Sequence, residues 1–267
     1  MQPMLNIALR AARRAGEIVA RASEQIDRVK IQTKGENNFV TEIDLKAEQE
    51  IIAHLQKAYP DHAFICEESG ETGNPDSDYK WIIDPIDGTT NFIHGIPHYC
   101  VSIACVYQGQ LEHAVVLDPI RREEFTASRG RGAQVNGRRV RVTMVNSLEG
   151  ALIGTGIPFK ARSEQHIPAY MKSLEAVASS TAGIRRAGSA ALDLAYVAAG
   201  RLDGFWEIGL NKWDIAAGIL LVREAGGLLS DFQGGGSYYE TGNIVAANPK
   251  CLKSLLQATK PHLGHIK

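Results

Sequence analysis

From Met4 to about Ser23, the apolar positions Leu5, Leu9, Ala12, Ala15 or Gly16, and Val19 recur every three or four residues, with the arginines on other faces. That period predicts an amphipathic packing helix with no chemistry of its own. A second helix is expected from Thr41, whose hydroxyl suits an N-cap with Asp44 three residues on. Leu45, Ile52, Leu55 and Tyr59 supply its buried stripe, and Pro60 closes it. From Tyr99 the period shortens to two. Tyr99 to Tyr107, a Gln108-Gly109 turn, Leu111 to Leu117, and Glu124 to Ala127 before Gly130 and Gly132 read as antiparallel strands. Asn136-Gly137 separates two further short strand candidates. The polar stretch from Asn146 to Gly150 then marks a boundary between residues 1–146 and 147–267. Beyond it, helices near Glu164 to Ala178, Ser189 to Ala199 and Trp213 to Ala225 alternate with strands near Leu152, Gly204 to Ile208, Leu228 to Asp231 and Asn243 to Ala247.

With 267 residues, 44% of them hydrophobic and 22% charged, the chain can bury a substantial core in one large domain or two fused ones. A formal charge of −1 argues against a dedicated nucleic-acid binder and confines any such role to a local patch. Arg129, Arg131, Arg138, Arg139 and Arg141 cluster around two glycine turns and form either a basic hairpin or a plain solvated face. Four cysteines without Cys-x-x-Cys spacing suggest a reducing compartment. The N-terminus has no basic leader, and no segment approaches the ~18 apolar residues of a membrane span, so a cytoplasmic protein without membrane contact is expected.

Chemistry concentrates where apolar segments end in acid. Trp81-Ile82-Ile83-Asp84-Pro85-Ile86-Asp87-Gly88-Thr89-Thr90-Asn91-Phe92 reads as a strand ending at Asp84-Pro85, followed by a tight turn and a hydroxyl pair. Asp-Pro and Asp-Gly are also ordinary turn formers, so this core alone fits turn chemistry as well as a hard-cation site. Two more segments favour the cation. Phe64-Ile65-Cys66-Glu67-Glu68-Ser69-Gly70 is another strand ending in acids, and Trp213-Asp214 stands where a helix begins. Gly88 can take a conformation closed to other residues and let amides approach an anion, and Thr89 is placed to orient a water.

These segments, with Trp213-Asp214-Ile215-Ala216-Ala217-Gly218, resemble the signatures of the inositol monophosphatase family, and more closely its bacterial inositol-1-monophosphatase branch. The resemblance runs from the first helix to Gly242-Asn243-Ile244-Val245-Ala246-Ala247-Asn248-Pro249. It implies a layered αβαβα sandwich of the inositol monophosphatase and fructose-1,6-bisphosphatase type. An N-terminal α+β part (1–146) with a large antiparallel sheet would precede a C-terminal α/β part (147–267). It also implies lithium-sensitive, Mg²⁺-dependent hydrolysis of inositol monophosphate or related small phosphate monoesters, with two or three Mg²⁺ per site, in a homodimer. Relatives with the same metal core act on fructose bisphosphate or 3′-phosphonucleotides. The bacterial branch is further implicated in complexes that make ribosomal RNA, with RNA polymerase and Nus factors as partners.

By motif match, Glu67, Asp84 and the Ile86 carbonyl would hold one Mg²⁺, and Asp84, Asp87 and Asp214 a second. Thr89, bonded to Asp44, would position or deprotonate the attacking water with Glu67 close by. Asp44 also suits a capping box, and Asp214 an acid at a helix start. Phosphate would meet Asp87, the Gly88 and Thr89 amides and Asp214. The alcohol would meet Gly188, Ser189, Ala190 and Glu207, with Ser189 equally suited to a plain N-cap. Arg185 would contact ligand or partner subunit, and Lys34 would sit on a mobile loop near the metals. His94 and His98 are expected beside the site or on the surface, because an oxygen-only ligand set favours Mg²⁺.

Overall fold

The computed structural model describes residues 2–35, 38–158 and 164–266, and the side chains of 32–39 lie outside the described set. Helices α1 (Pro3–Ser23) and α2 (Glu42–Ala58) flank a two-stranded pair, β1 (Ile31–Gly35) and β2 (Asn38–Thr41). An eight-stranded sheet follows. It comprises β3 (Ala63–Cys66), β4 (Gly70–Gly73), β5 (Tyr79–Asp87), β6 (Cys100–Tyr107), β7 (Gln110–Asp118), β8 (Glu123–Ser128), β9 (Gly132–Val135) and β10 (Arg138–Val140), with α3 (Thr89–Ile93) between β5 and β6. Its order is β10-β9-β8-β7-β6-β5-β3-β4, and every pair is antiparallel except β3 with β5.

After Leu152 the chain builds a second sheet from β11 (Leu152–Thr155), β12 (Gly183–Arg185), β13 (Gly204–Glu207), β14 (Leu228–Ser230) and β15 (Ile244–Ala247). Its order is β12-β11-β13-β15-β14, with β15 antiparallel to both neighbours. Helices α4 (Ile167–Ala178), α5 (Ala190–Ala198), α6 (Lys212–Glu224), α7 (Tyr238–Thr241) and α8 (Pro249–Leu263) intervene.

The strand period of two sorts the core into layers. Trp81, Ile83, Val101, Ile103 and Cys105 face α1 and α2, packing with Leu9, Ala12, Val19, Ile51 and Leu55. Ile82, Ala104 and Val106 point the other way, onto Ala191, Leu194, Ile215 and Ile219 of α5 and α6. Those two helices also meet Phe205 and Ala246 of the second sheet. Ile153, Trp206, Val245 and Ala247 cover the far face with Tyr170, Val177, Cys251 and Leu255. The result is an αβαβα stack. Sandwiched between two sheets, α5 and α6 are apolar almost all round, as buried helices are. Gly218 permits their close contact, since a Cβ there would lie 2.5 Å from Leu194. No helix among the described residues is long and apolar enough to cross a membrane.

The structure departs from the sequence expectations at two places that matter for the site. The buried stripe of α2 is Ile43, Ala47, Ile51 and Leu55 together with the acids Asp44 and Glu48, whereas Leu45 is exposed. Strand β5 also does not stop at Asp84. It continues through Pro85 to Asp87, with its register slipping between the two acids. Helix α8, capped by Asn248 on the amides of Lys250 and Cys251, had no counterpart among the expected elements.

Candidate active site

Asp84 stands opposite Ser102 and Asp87 opposite Cys100, so three steps along β5 are matched by two along β6. Such a bulge re-aims side chains, and Pro85 is tolerated there because it has no N–H to give the ladder. Asp84 Oδ1 accepts the Ile86 amide at 3.0 Å, so the turn chemistry of the motif is real and coexists with its other use. Asp214 arrives from the first turn of α6. Its Oδ2 accepts the Asn211 backbone amide at 2.6 Å and the Asn211 side-chain amide at 3.2 Å. The helix-start explanation of Asp214 therefore also holds. One carboxylate oxygen each from Asp84, Asp87 and Asp214 lie within 4.8 Å of one another, and Glu67 is hydrogen-bonded to Asp84.

Burial first, then the charges of Glu67, Asp87 and Asp214, hold Asp84 well above the usual carboxylate range. Asp87 is pushed up to about 6 by burial, although hydrogen bonds from Ser189 and the Ala191 amide pull the other way. Acids from β3–β4, β5 and α6 thus repel one another in a buried, all-oxygen cluster. That donor set fits a hard cation such as Mg²⁺, and Glu67, Asp84, Asp87, Asp214 and the Ile86 carbonyl would hold it.

The raised acids have a measurable consequence. An acid whose folded pKa exceeds its unfolded value binds extra protons in the native state, so its contribution to stability declines as pH rises through that interval. In EDTA, the contribution of Asp87 is expected to fade between its ordinary 3.8 and about 6. Mg²⁺ is expected to raise the melting temperature much more at pH ~7.5 than at pH ~5, where protons already relieve the repulsion. Thermal melts with and without Mg²⁺ at both values check this, and an equal Mg²⁺ effect at the two would contradict it.

Asp44, fully buried on α2, serves two partners at once. Its Oδ2 accepts the Thr41 amide at 2.8 Å and the Thr41 hydroxyl, closing the capping box, while Oδ1 lies 3.2 Å from Thr89 Oγ1. Burial raises its pKa, offset partly by those bonds. Thr89 Oγ1 is also 3.0 Å from the Ile86 carbonyl, so one hydroxyl proton is shared between two acceptors. Gly88 adopts φ +105°, and a Cβ there would meet the His98 carbonyl at 3.0 Å and the Gly188 carbonyl at 3.2 Å. The turn therefore needs glycine for both conformation and space.

The C-terminal residues expected at the site are placed unevenly. Ser189 is the N-cap of α5, accepting from the Leu192 amide, and its hydroxyl donates to Asp87 Oδ2 at 2.6 Å. The Ala191 amide donates to the same oxygen at 2.7 Å. Ser189 is thus committed to holding Asp87. Gly188, with φ +91°, packs against Asn91, and Ala190 is buried behind it. Glu207 is buried against Gly156, where a Cβ would overlap its carboxylate. Burial, then the charges of Asp193, Asp214 and Asp87, push it well above the usual range. Arg185 is exposed and turned to the Ile184 carbonyl. It is the neighbouring Arg186 whose charge reaches Asp193 and Glu207. Lys34 lies on β1, and its side chain falls outside the described residues. His94 is exposed, bonded to the Thr90 carbonyl, and His98 is half-buried.

Three residues near the site had no assigned role in the sequence reading. Asn91 donates to the His98 carbonyl at 2.7 Å and the Ala187 carbonyl at 2.8 Å, tying the main motif to the loop before α5. Asp193 is a buried acid facing Arg186. Glu48 is buried on α2, four residues beyond Asp44, and that spacing was the one signal available for it.

The family model described as the inositol monophosphatase family matches residues 1–263. A Pseudomonas aeruginosa protein named Nus factor SuhB is 60% identical over 98% of both chains. The crystal structure of the extragenic suppressor protein suhB from Bartonella henselae superposes with TM-score 0.93 at 44% identity, covering 97% of this chain and 99% of its own. A Thermotoga maritima IMPase gives 0.89 at 34% identity over the whole of both chains. With five layers in the expected order and acids from three segments meeting at the end of β5, the chain belongs to the inositol monophosphatase family.

Proposed function

We propose that this chain hydrolyses small phosphate monoesters, inositol monophosphate foremost, with Mg²⁺ held by Glu67, Asp84, the Ile86 carbonyl, Asp87 and Asp214. The carrying observation is the meeting of Asp84, Asp87 and Asp214 beside the Asp44–Thr89 hydrogen bond. Mg²⁺ supplies neutralisation of phosphoryl oxygens and acidification of a water. The chain supplies the rest. Committing the Ile86 carbonyl to a cation leaves Asp44 as acceptor for the Thr89 proton. Thr89 Oγ1 then offers a lone pair to the attacking water, whose proton moves to Thr89 as the Thr89 proton moves to Asp44, while the water oxygen bonds phosphorus and the ester oxygen leaves, taking its proton from solvent. Burial of Asp44, which raises its proton affinity, suits that receiving role. The amides at Gly88 and Thr89 offer uncharged donors to phosphate oxygens. Glu207, a buried acid that feels the charges of Asp87, Asp214 and Arg186, would offer a hydrogen-bonding group to substrate hydroxyls.

The test is a phosphatase screen over inositol, sugar, glycerol and nucleotide monophosphates. Release of phosphate is expected to require Mg²⁺, to be greatest with inositol monophosphate, and to be suppressed by Ca²⁺ and Li⁺. Full activity in EDTA overturns the metal assignment, and preference for a nucleotide overturns the substrate.

A second role in transcription complexes is supported by the name Nus factor SuhB carried by relatives at 54–60% identity. Arg138, Arg139 and Arg141 are exposed at the β10 edge of the large sheet, whereas Arg129 is paired with Glu112. Asp87→Asn is expected to abolish hydrolysis while leaving binding to RNA polymerase or Nus factors intact. Pull-down and phosphate release on the same preparation separate the two, and joint loss with a native melt would merge them.

A further inference from the structure

Helix α2 sends a second buried acid toward the site, one turn after Asp44. Glu48 is 2% exposed, and its two carboxylate oxygens accept successive backbone amides, Oε2 from Glu68 and Oε1 from Ser69, each at 2.9 Å. No ion pair to Glu48 occurs among the described residues. Charge-assisted bonds of this kind are strong and directional. The turn they hold begins at Glu67, whose amide donates to the Ile83 carbonyl at 3.1 Å and whose carboxyl meets Asp84. A turn needs only neutral acceptors. A single side chain spanning both amides ties the turn that carries Glu67 to α2.

We propose that Glu48 is a positioning residue: by clamping the two amides after Glu67 it fixes that ligand against Asp84 and so sets the affinity of the centre for Mg²⁺. It rests on the phosphatase reading for the identity of the cation. Asp44 and Glu48, four residues apart on one helical face, would then brace the site from behind, the first through Thr89 and the second through Glu67.

Calorimetric titration with Mg²⁺, without substrate, tests this on the wild type, Glu48→Gln, Glu67→Gln and the double variant. Gln keeps the size but turns an NH₂ group toward one of the two amides. Glu48→Gln is expected to weaken Mg²⁺ binding by ~10- to 100-fold, the usual effect of losing a partner that orients a ligand. Its Kd is expected to rise more than kcat falls, and it is expected to melt cooperatively in EDTA at a somewhat lower temperature, because one buried amide loses its acceptor. In the Glu67→Gln background the same change is expected to add little, since both act on one ligand. Unchanged Mg²⁺ affinity, or full additivity with Glu67→Gln, overturns the proposal. Glu48→Asp keeps the charge but cannot span both amides. It is expected to fold and still bind Mg²⁺ more weakly, so a wild-type Kd in that variant also overturns it. A wild type that binds Mg²⁺ yet hydrolyses no monoester sinks the functional reading alone.

Discussion

Asp84→Asn is expected to eliminate Mg²⁺-dependent phosphate release, by about 10³-fold or more. Cation stabilisation of a phosphoryl transition state is worth several kcal/mol, and each 1.36 kcal/mol is tenfold. Asp84 is the acid that hydrogen-bonds Glu67 and feels the charges of both Asp87 and Asp214. Under the proposed ligand assignment, its loss removes the acid common to both sets. The same substitution is expected to stabilise the protein in EDTA. Asp84 is held well above the usual carboxylate range by burial and like charges, so in the absence of cation its ionised form opposes folding at neutral pH. Asparagine removes that opposition and also keeps an acceptor for the Ile86 amide. A melt in EDTA at neutral pH should therefore rise relative to wild type, while the Mg²⁺-induced rise seen in the wild type disappears. A variant that loses activity but still gains stability from Mg²⁺ would show that the centre is assembled without Asp84.

Thr89→Ala is expected to lower kcat by ~10²- to 10⁴-fold, the range for removing a general acid–base group, with KM and Mg²⁺ affinity close to wild type. Thr89 Oγ1 is the atom between Asp44 and the Ile86 carbonyl, and alanine removes that link while Asp44 keeps its bonds from Thr41. Thr89→Ser keeps the hydroxyl and is expected to recover most of the rate. Steady-state kinetics with Mg²⁺ titrations on the two variants distinguish the roles. A large rise in the Mg²⁺ requirement of Thr89→Ala, with kcat restored at saturation, would make Thr89 a support of the metal centre and not part of proton transfer.

Single elements such as α1 and the β6–β7 hairpin were legible from the period of their apolar positions, whereas their stacking into layers was implied by the family resemblance. The acid cluster was legible because Glu67 and Asp84 each follow an apolar run and Asp214 stands where an apolar helix begins. The misread face of α2 is instructive. Its true inner stripe contains Asp44 and Glu48, so an apolar count slides to Leu45 and Ile52, a phase that avoids acids. Local rules fail where function overrides them. The continuation of β5 past Pro85 was hidden for a similar reason, since proline usually argues against a strand interior and only the bulge against Cys100 explains it. Which of two adjacent arginines turns toward Asp193 and Glu207 is a matter of side-chain direction after β12, and sequence spacing carries no information on it.

The α5–α6 layer packs against both sheets, and each of its helices starts at the acid cluster: Ser189 and Ala191 grip Asp87 from one, and Asp214 projects from the other. An ion bridging Asp87 and Asp214 would therefore work as a rivet through the middle of the stack.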